Sequence, residues 1–231
     1  MPLSNNGYGP VARLAKPPVD LLICFAVKEE MKFFPYPSWR AANVQVWVTG
    51  MGRRNAAENI RDAIKRVQPE RVITSGFAGG LNPKLRCGDV IYEQDFDAGL
   101  SRELEEFGAI PAKFHCHRRV AITAQEKRVL WEETGADAVE MESSVIRTIC
   151  KEYHIPSATV RVISDDAHQD LPLDFNALMT ADDRINYLKL AWAVMSRPSR
   201  IPKLLEFQHH TLDAARKLGS VLEDLLGAER C

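Results

Sequence analysis

The chain has 231 residues, 45% hydrophobic and 26% charged, a balance that supplies one buried core and excludes a disordered chain. A formal net charge of -1 gives no global field to draw in nucleic acid or an anionic membrane, so a small molecule is the expected ligand. Five scattered cysteines without a CxxC pair read as free thiols in a reducing cytoplasm, and exclude a zinc ribbon or a redox motif. No signal-peptide run and no apolar stretch of about 20 residues is present. The expectation is a cytoplasmic protein without a membrane span.

Residues 1–18, rich in Pro, Gly and Asn, read as an extended arm ahead of one catalytic domain over residues 19–231. Residues 19–27 (VDLLICFAV) form a continuous apolar run, the mark of a strand covered on both faces. It gives way to KEEMKFF. A second strand, residues 44–49 (VQVWVT), stops at Gly50-Met51-Gly52, and RRNAAENIRDAIKRV then places Ala56, Ile60, Ala63 and Ile64 at helical spacing. A short strand at 71–75 (RVITS) ends in what reads as a glycine loop, residues 76–80, and a further strand starts at Gly88. Residues 96–119 read as an irregular surface excursion. A helix is predicted over 127–134, a strand over 136–139, a helix over 141–153 and a strand over 158–163 (ATVRVI). The tail from Leu178 is helical, broken at Arg197-Pro198 and running on from Pro202 to Leu226.

Strands alternating with helices define an α/β fold: a single domain with a central, mixed but mostly parallel, twisted sheet flanked by helices. In such folds ligands sit at the carboxyl ends of the strands. That rule selects KEE, TGMG, SGFAGG, VEMES and SDD, and with them three acidic clusters: Glu29-Glu30, Glu140 with Glu142, and Asp165-Asp166. A single acid in the first turn of a helix is ordinary dipole chemistry; three clusters at strand ends point to catalysis. The glycine loop lacks the lysine of a P-loop and the spacing of a dinucleotide fingerprint. His115 and His117 could share one side of a strand, but no third or fourth metal ligand accompanies them, so no metal is expected.

Four segments in one order carry a resemblance: residues 26–31 (AVKEEM), 75–91 (SGFAGGLNPKLRCGDVI), 138–144 (AVEMESS) and 160–175 (VRVISDDAHQDLPLDF). Together they resemble the nucleoside phosphorylase/nucleosidase superfamily, in particular its methylthioadenosine/S-adenosylhomocysteine nucleosidases. The resemblance implies cleavage of the N-glycosidic bond of a purine nucleoside, adenine being the expected base, with a 5′ substituent. By it, Asp165 is the acid at purine N7, oriented by Ser164, and Glu30 is the base that activates water. Glu142 accepts the ribose hydroxyls, Met141 packs on the sugar, and Ser75, Gly76 and Ala78 bring backbone to the ligand. Ile122 and Thr123 stand where the purine-stacking residues are expected. No cofactor is implied. A homodimer is, since members commonly close the 5′ side of the site with a neighbouring subunit.

Two other readings stay open in the sequence. A phosphorylase would take phosphate as co-substrate, with Arg71 and Thr74 as its ligands, although Ile73 replaces the glycine of that pattern. The tail segment RPSRIPKLLEF resembles the hopanoid-associated phosphorylases, which implies an adenosylhopane-type substrate. A nucleoside-binding module without catalysis would keep Glu142 but lose the acid, and Asp165 is present.

Overall fold

The computed structural model describes residues 19–34, 43–180, 182, 186–196 and 198–228. The arm expected over residues 1–18 lies outside them, as does Arg197 of the expected tail break. The elements run β1 (Val19–Phe25), β2 (Val44–Val48), α1 (Gly52–Val67), β3 (Pro69–Gly80), β4 (Val90–Gln94), α2 (Ser101–Glu106), β5 (Ile110–Pro111) and β6 (Phe114–Cys116). They continue with α3 (Ala124–Thr134), β7 (Ala138–Glu140), α4 (Ser143–Glu152), β8 (Ser157–Asp165), α5 (Phe175–Leu178), α6 (Tyr187–Ser196) and α7 (Ile201–Ala228).

The sheet has the order β2-β1-β3-β8-β4-β5. The four strands β2, β1, β3 and β8 are mutually parallel, and β4 runs antiparallel to β8. Strand β7 lies antiparallel against the end of β3 and pairs with β6 on its other side. Because β1 and β3 are central, both faces must be covered, which is why their sequences do not alternate. One face, Leu22, Cys24 and Val72, packs under Ala56, Ile60 and Ala63 of α1 and Ile146 and Ile149 of α4. The other, Leu21, Ile23, Ile73, Val160 and Val162, packs under Leu218, Leu222 and Leu225 of α7. The C-terminal half of the long tail is therefore a core helix.

Two expectations are corrected. Residues 76–80 are not a loop: β3 continues through them, pairing Gly76 with Arg161, Phe77 with Val162 and Ala78 with Ile163 before a register shift at Gly79. The glycines mark close approach within a strand, as the site explains below. The stretch 96–119 is also partly regular, holding α2, β5 and β6. Among the described residues, no helix is long and apolar enough to cross a membrane.

Candidate active site

Parallel strands β1, β2, β3 and β8 end at one edge of the sheet, and there the chain encloses a cavity of about 220 Å³. Glu30 follows β1, Met51 follows β2, Phe77 and Ala78 belong to β3, Met141 and Glu142 follow β7, and Ser164 and Asp165 close β8; all line this cavity. A second cavity of about 750 Å³ opens from it. The two share Val27, Met51, Phe77, Val120, Ser164 and Asp165 as a common wall. The outer one runs between Asn55 and Asn59 of α1 and the apolar side chains of Leu171, Phe175 and Phe207.

Glu30 is tied down by three backbone amides. Its Oε2 accepts from Ala26 N–H at 2.8 Å and Val27 N–H at 3.1 Å, and its Oε1 accepts from Phe77 N–H at 3.0 Å. The carboxylate lies on Gly76, where an added Cβ would come within 2.3 Å of Oε1 and the backbone φ is +145°. Only glycine permits both the approach and the conformation. Burial pushes the Glu30 carboxyl up, with Arg161 and the three amides pulling the other way.

Glu140 and Glu142 stand two residues apart and are treated oppositely. Glu140 accepts from Arg161 Nη2 at 3.1 Å, Ser143 N–H at 2.7 Å, Ser143 Oγ at 2.7 Å and Glu142 N–H at 3.0 Å. Burial works to raise it, but Arg161 and these donors outweigh burial and hold the carboxyl below its usual range. Glu142 has the carboxyls of Glu140 and Glu30 as neighbours, which outweigh the pull of Arg161. Its Oε1 accepts from Gly52 N–H at 2.8 Å, at the start of α1. Burial first, then the Glu140 carboxylate, pushes it up to about 8.

Asp165 is gripped on both oxygens. Oδ1 accepts from Ser164 Oγ at 2.6 Å, and Oδ2 meets Lys127 Nζ at 2.5 Å. Ser164 Oγ also lies 3.3 Å from the carbonyl of Ala78, so β3 and β8 fix it jointly.

Not every expected residue reaches the cavity. Ser75 is buried without a hydrogen-bond partner for Oγ, and Thr74 Oγ1 accepts from Arg161 at 3.0 Å; both lie beneath the site and line neither cavity. Arg71 lies near the start of β3, seven residues before Ala78 and roughly 20 Å away at about 3.3 Å per residue. It is not placed to hold a phosphate beside Glu30. Ile122 and Thr123 are also corrected. Thr123 caps α3 in a reciprocal capping box with Glu126, and Ile122 N–H donates to Glu126 at 2.7 Å. The cavity wall is formed instead by Arg119, Val120 and Ala121. His115 and His117 face one another at 3.3 Å, and among the described residues no group of three or more ligands could hold a metal.

Two residues that the sequence reading passed over are central. Arg161 is 2% exposed, reaches Glu140 and Thr74, and among the described residues keeps Nε and Nη1 without hydrogen-bond partners. Its signal was present: one cation in the otherwise apolar run ATVRVI has to be paired inside. Lys127 is 0% exposed, and a helix of mixed polarity gave no sign of it.

An enclosed, carboxylate-lined cleft at the strand ends of a doubly covered α/β sheet is the site of an enzyme acting on a small molecule. The chain belongs to the phosphorylase superfamily, whose sequence model matches residues 32–117 and 92–194. A 5'-methylthioadenosine/S-adenosylhomocysteine nucleosidase of an Exiguobacterium species is 28% identical over 191 residues, covering 67% of this chain and 82% of that protein. The protein of the same name from Bacillus cytotoxicus is 25% identical over 165 residues, covering 57% and 71%. Among solved structures, the futalosine hydrolase of Helicobacter pylori superposes with a TM-score of 0.65 at 15% identity, covering 91% of this chain and 98% of its own. The methylthioadenosine/S-adenosylhomocysteine nucleosidase of the same organism, bound to butyl-thio-DADMe-Immucillin-A, also gives 0.65 at 15% identity, covering 92% and 100%. At such identities these structures establish the shared fold.

Proposed function

We propose that the enzyme hydrolyses the N-glycosidic bond of a purine nucleoside, adenine being the base, that carries an apolar 5′ substituent. Rupture of that bond builds oxocarbenium character on the ribose and negative charge on the departing base. The reaction therefore calls for a proton donor at the base, a carboxylate at the sugar and an activated nucleophile, the division of labour of other glycoside hydrolases. Asp165 is the donor to N7, with Ser164 orienting it. Glu142 accepts the ribose hydroxyls, its charge favouring the oxocarbenium ion, while Met141 packs on the sugar. Glu30 takes the proton of the attacking water. The C1′–N9 electron pair leaves with the base, N7 gains the proton of Asp165, and the water oxygen bonds C1′.

The observation that carries water over phosphate is the seat of Glu30. Three convergent backbone N–H groups form a cradle suited to an oxyanion, and an internal carboxylate already fills it. A phosphate at that position would meet a buried carboxylate in place of donors. The relatives' names support an adenine nucleoside with sulfur at the 5′ position. The outer cavity supports an apolar group there: it is walled by Leu171, Phe175 and Phe207, and among the described residues no cation lines it to receive an amino-acid carboxylate.

The test is base release from methylthioadenosine, S-adenosylhomocysteine, adenosine and inosine, with and without phosphate. Free adenine plus a free reducing sugar, without phosphate, is the expected result. A strict phosphate requirement with a sugar 1-phosphate as product would overturn the hydrolytic reading. No release from any of them would leave Asp165 without the assigned role.

A further inference from the structure

Lys127 has no place in the chemistry described so far, yet it is the most thoroughly buried charge at the site. It projects from α3, is 0% exposed, and directs its ammonium at three acceptors: Asp165 Oδ2 at 2.5 Å, the carbonyl of Asp166 at 2.7 Å and the carbonyl of Gln169 at 2.9 Å. Three N–H donors meet three acceptors, so the position is built for the charged form. A neutral amine would turn a lone pair toward an oxygen. Burying an ammonium costs several kcal/mol on the order-of-magnitude scale for buried ions, unless it is paired as completely as this. Holding the 166–169 turn requires only the two carbonyl contacts, which a neutral amide could make. The third contact goes to the acid itself.

We infer that Lys127 is a positioning residue for the acid: it caps Oδ2 of Asp165, leaves Oδ1 as the atom that carries the proton, and stabilises the carboxylate left when that proton has passed to the base. The inference rests on the reading of Asp165 as the proton donor. As N7 takes the proton from Oδ1, negative charge returns to a carboxylate already bonded to a cation, which lowers the barrier.

Other groups meet Asp165 and its neighbours differently. Ser164 Oγ donates to Oδ1 at 2.6 Å, the thiol of Cys87 donates to the carbonyl of Ser164 at 3.3 Å, and Arg119, Glu30, Glu140 and Glu142 lie around the shared cavity. The cation bonded to Oδ2 is Lys127.

The experiment is steady-state hydrolysis of methylthioadenosine by the full chain and its Lys127→Met variant, with thermal melting to confirm folding. The variant is expected to lose about 10- to 100-fold in kcat, the worth of one charge-assisted hydrogen bond in a transition state, with KM changed only a few-fold. A folded variant that keeps the wild-type kcat, or whose loss falls on KM alone, would reduce Lys127 to an architectural role and overturn the inference. A wild-type enzyme that releases no base would instead refute the underlying functional reading. Should Lys127→Met fail to fold, Lys127→Gln keeps donors for the two carbonyls and removes only the charge. Lys127→Arg retains the charge and is expected to recover most of the kcat lost in Lys127→Met; a folded Lys127→Arg as slow as Lys127→Met would also overturn the inference.

Discussion

Glu142→Gln is expected to stabilise the protein while disabling it, and the size of the gain is set by pH. Glu142 is 8% exposed and its carboxyl is pushed up to about 8 from an ordinary 4.5, by burial and then by Glu140. Between these two values the folded chain keeps a proton that the unfolded chain has lost. Stability therefore falls as pH rises through that window and levels off above it. Each pH unit costs about 1.4 kcal/mol, so the full interval costs roughly 5 kcal/mol, an upper bound because Glu140 and Arg161 respond as Glu142 ionises. Glutamine is nearly isosteric, keeps an oxygen to accept the Gly52 N–H, and does not ionise. Urea denaturation of both proteins at several pH values from 5 to 9 measures the difference directly. The gap should be small at pH 5, widen toward pH 8 and then hold constant, while kcat/KM for methylthioadenosine falls about 100-fold or more through loss of charge at the ribose. Parallel stability curves, separated by the same amount at every pH, would refute the claim that Glu142 is held protonated by its surroundings.

Glu30→Gln keeps an oxygen for the amides of Ala26 and Val27 but turns an NH₂ toward the amide of Phe77. Its turnover should fall about 10²- to 10⁴-fold, the range for a lost general base, and a loss under threefold in a steady-state assay would remove Glu30 from the mechanism. Gly76→Ala would drive a methyl group into the Glu30 carboxylate at a φ of +145°. The expected cost is about 2–3 kcal/mol in chemical denaturation, with activity lost as in the Glu30 variant; wild-type stability would contradict the close approach. Phe207→Ala should raise KM about tenfold for a nucleoside with a bulky apolar 5′ group and leave that of adenosine unchanged, and equal effects on both would place the 5′ substituent elsewhere.

What the sequence discloses about this site depends on whether the signal is local. The strand-end rule selected the acidic clusters that hold Glu30, Glu142 and Asp165, the resemblance singled out these three, and the structure brings them to one cavity. The glycines of 76–80 gave a misleading local signal. A glycine cluster after a short apolar run reads as a turn, and only non-local pairing with β8, together with the Glu30 carboxylate lying on Gly76, makes it a strand. Arg71 matched a pattern in sequence but sits at the wrong end of β3. Thr123 and Ile122 were selected because the resemblance places the purine-stacking residues in that stretch, yet the capping signature Thr123–Glu126 was itself readable and assigns both to the helix start.

The charges that organise the site were the least legible, because each acts on a partner distant in sequence. Arg161 is 21 residues from Glu140 and 87 from Thr74; Lys127 is 38 residues from Asp165. In the sequence these are two ordinary cations among 30. In the fold they divide four clustered carboxyls into different states. Arg161 holds Glu140 ionised, and burial first, then that fixed charge, keeps Glu142 protonated. Backbone amides receive Glu30, and Lys127 takes one oxygen of Asp165. Four carboxyls around a cavity of about 220 Å³ could not all be left as free anions without mutual repulsion. The proposed acid, base and sugar-binding carboxylate stand side by side and are distinguished by which cation or amide each one meets, and the acidic motifs alone do not record that.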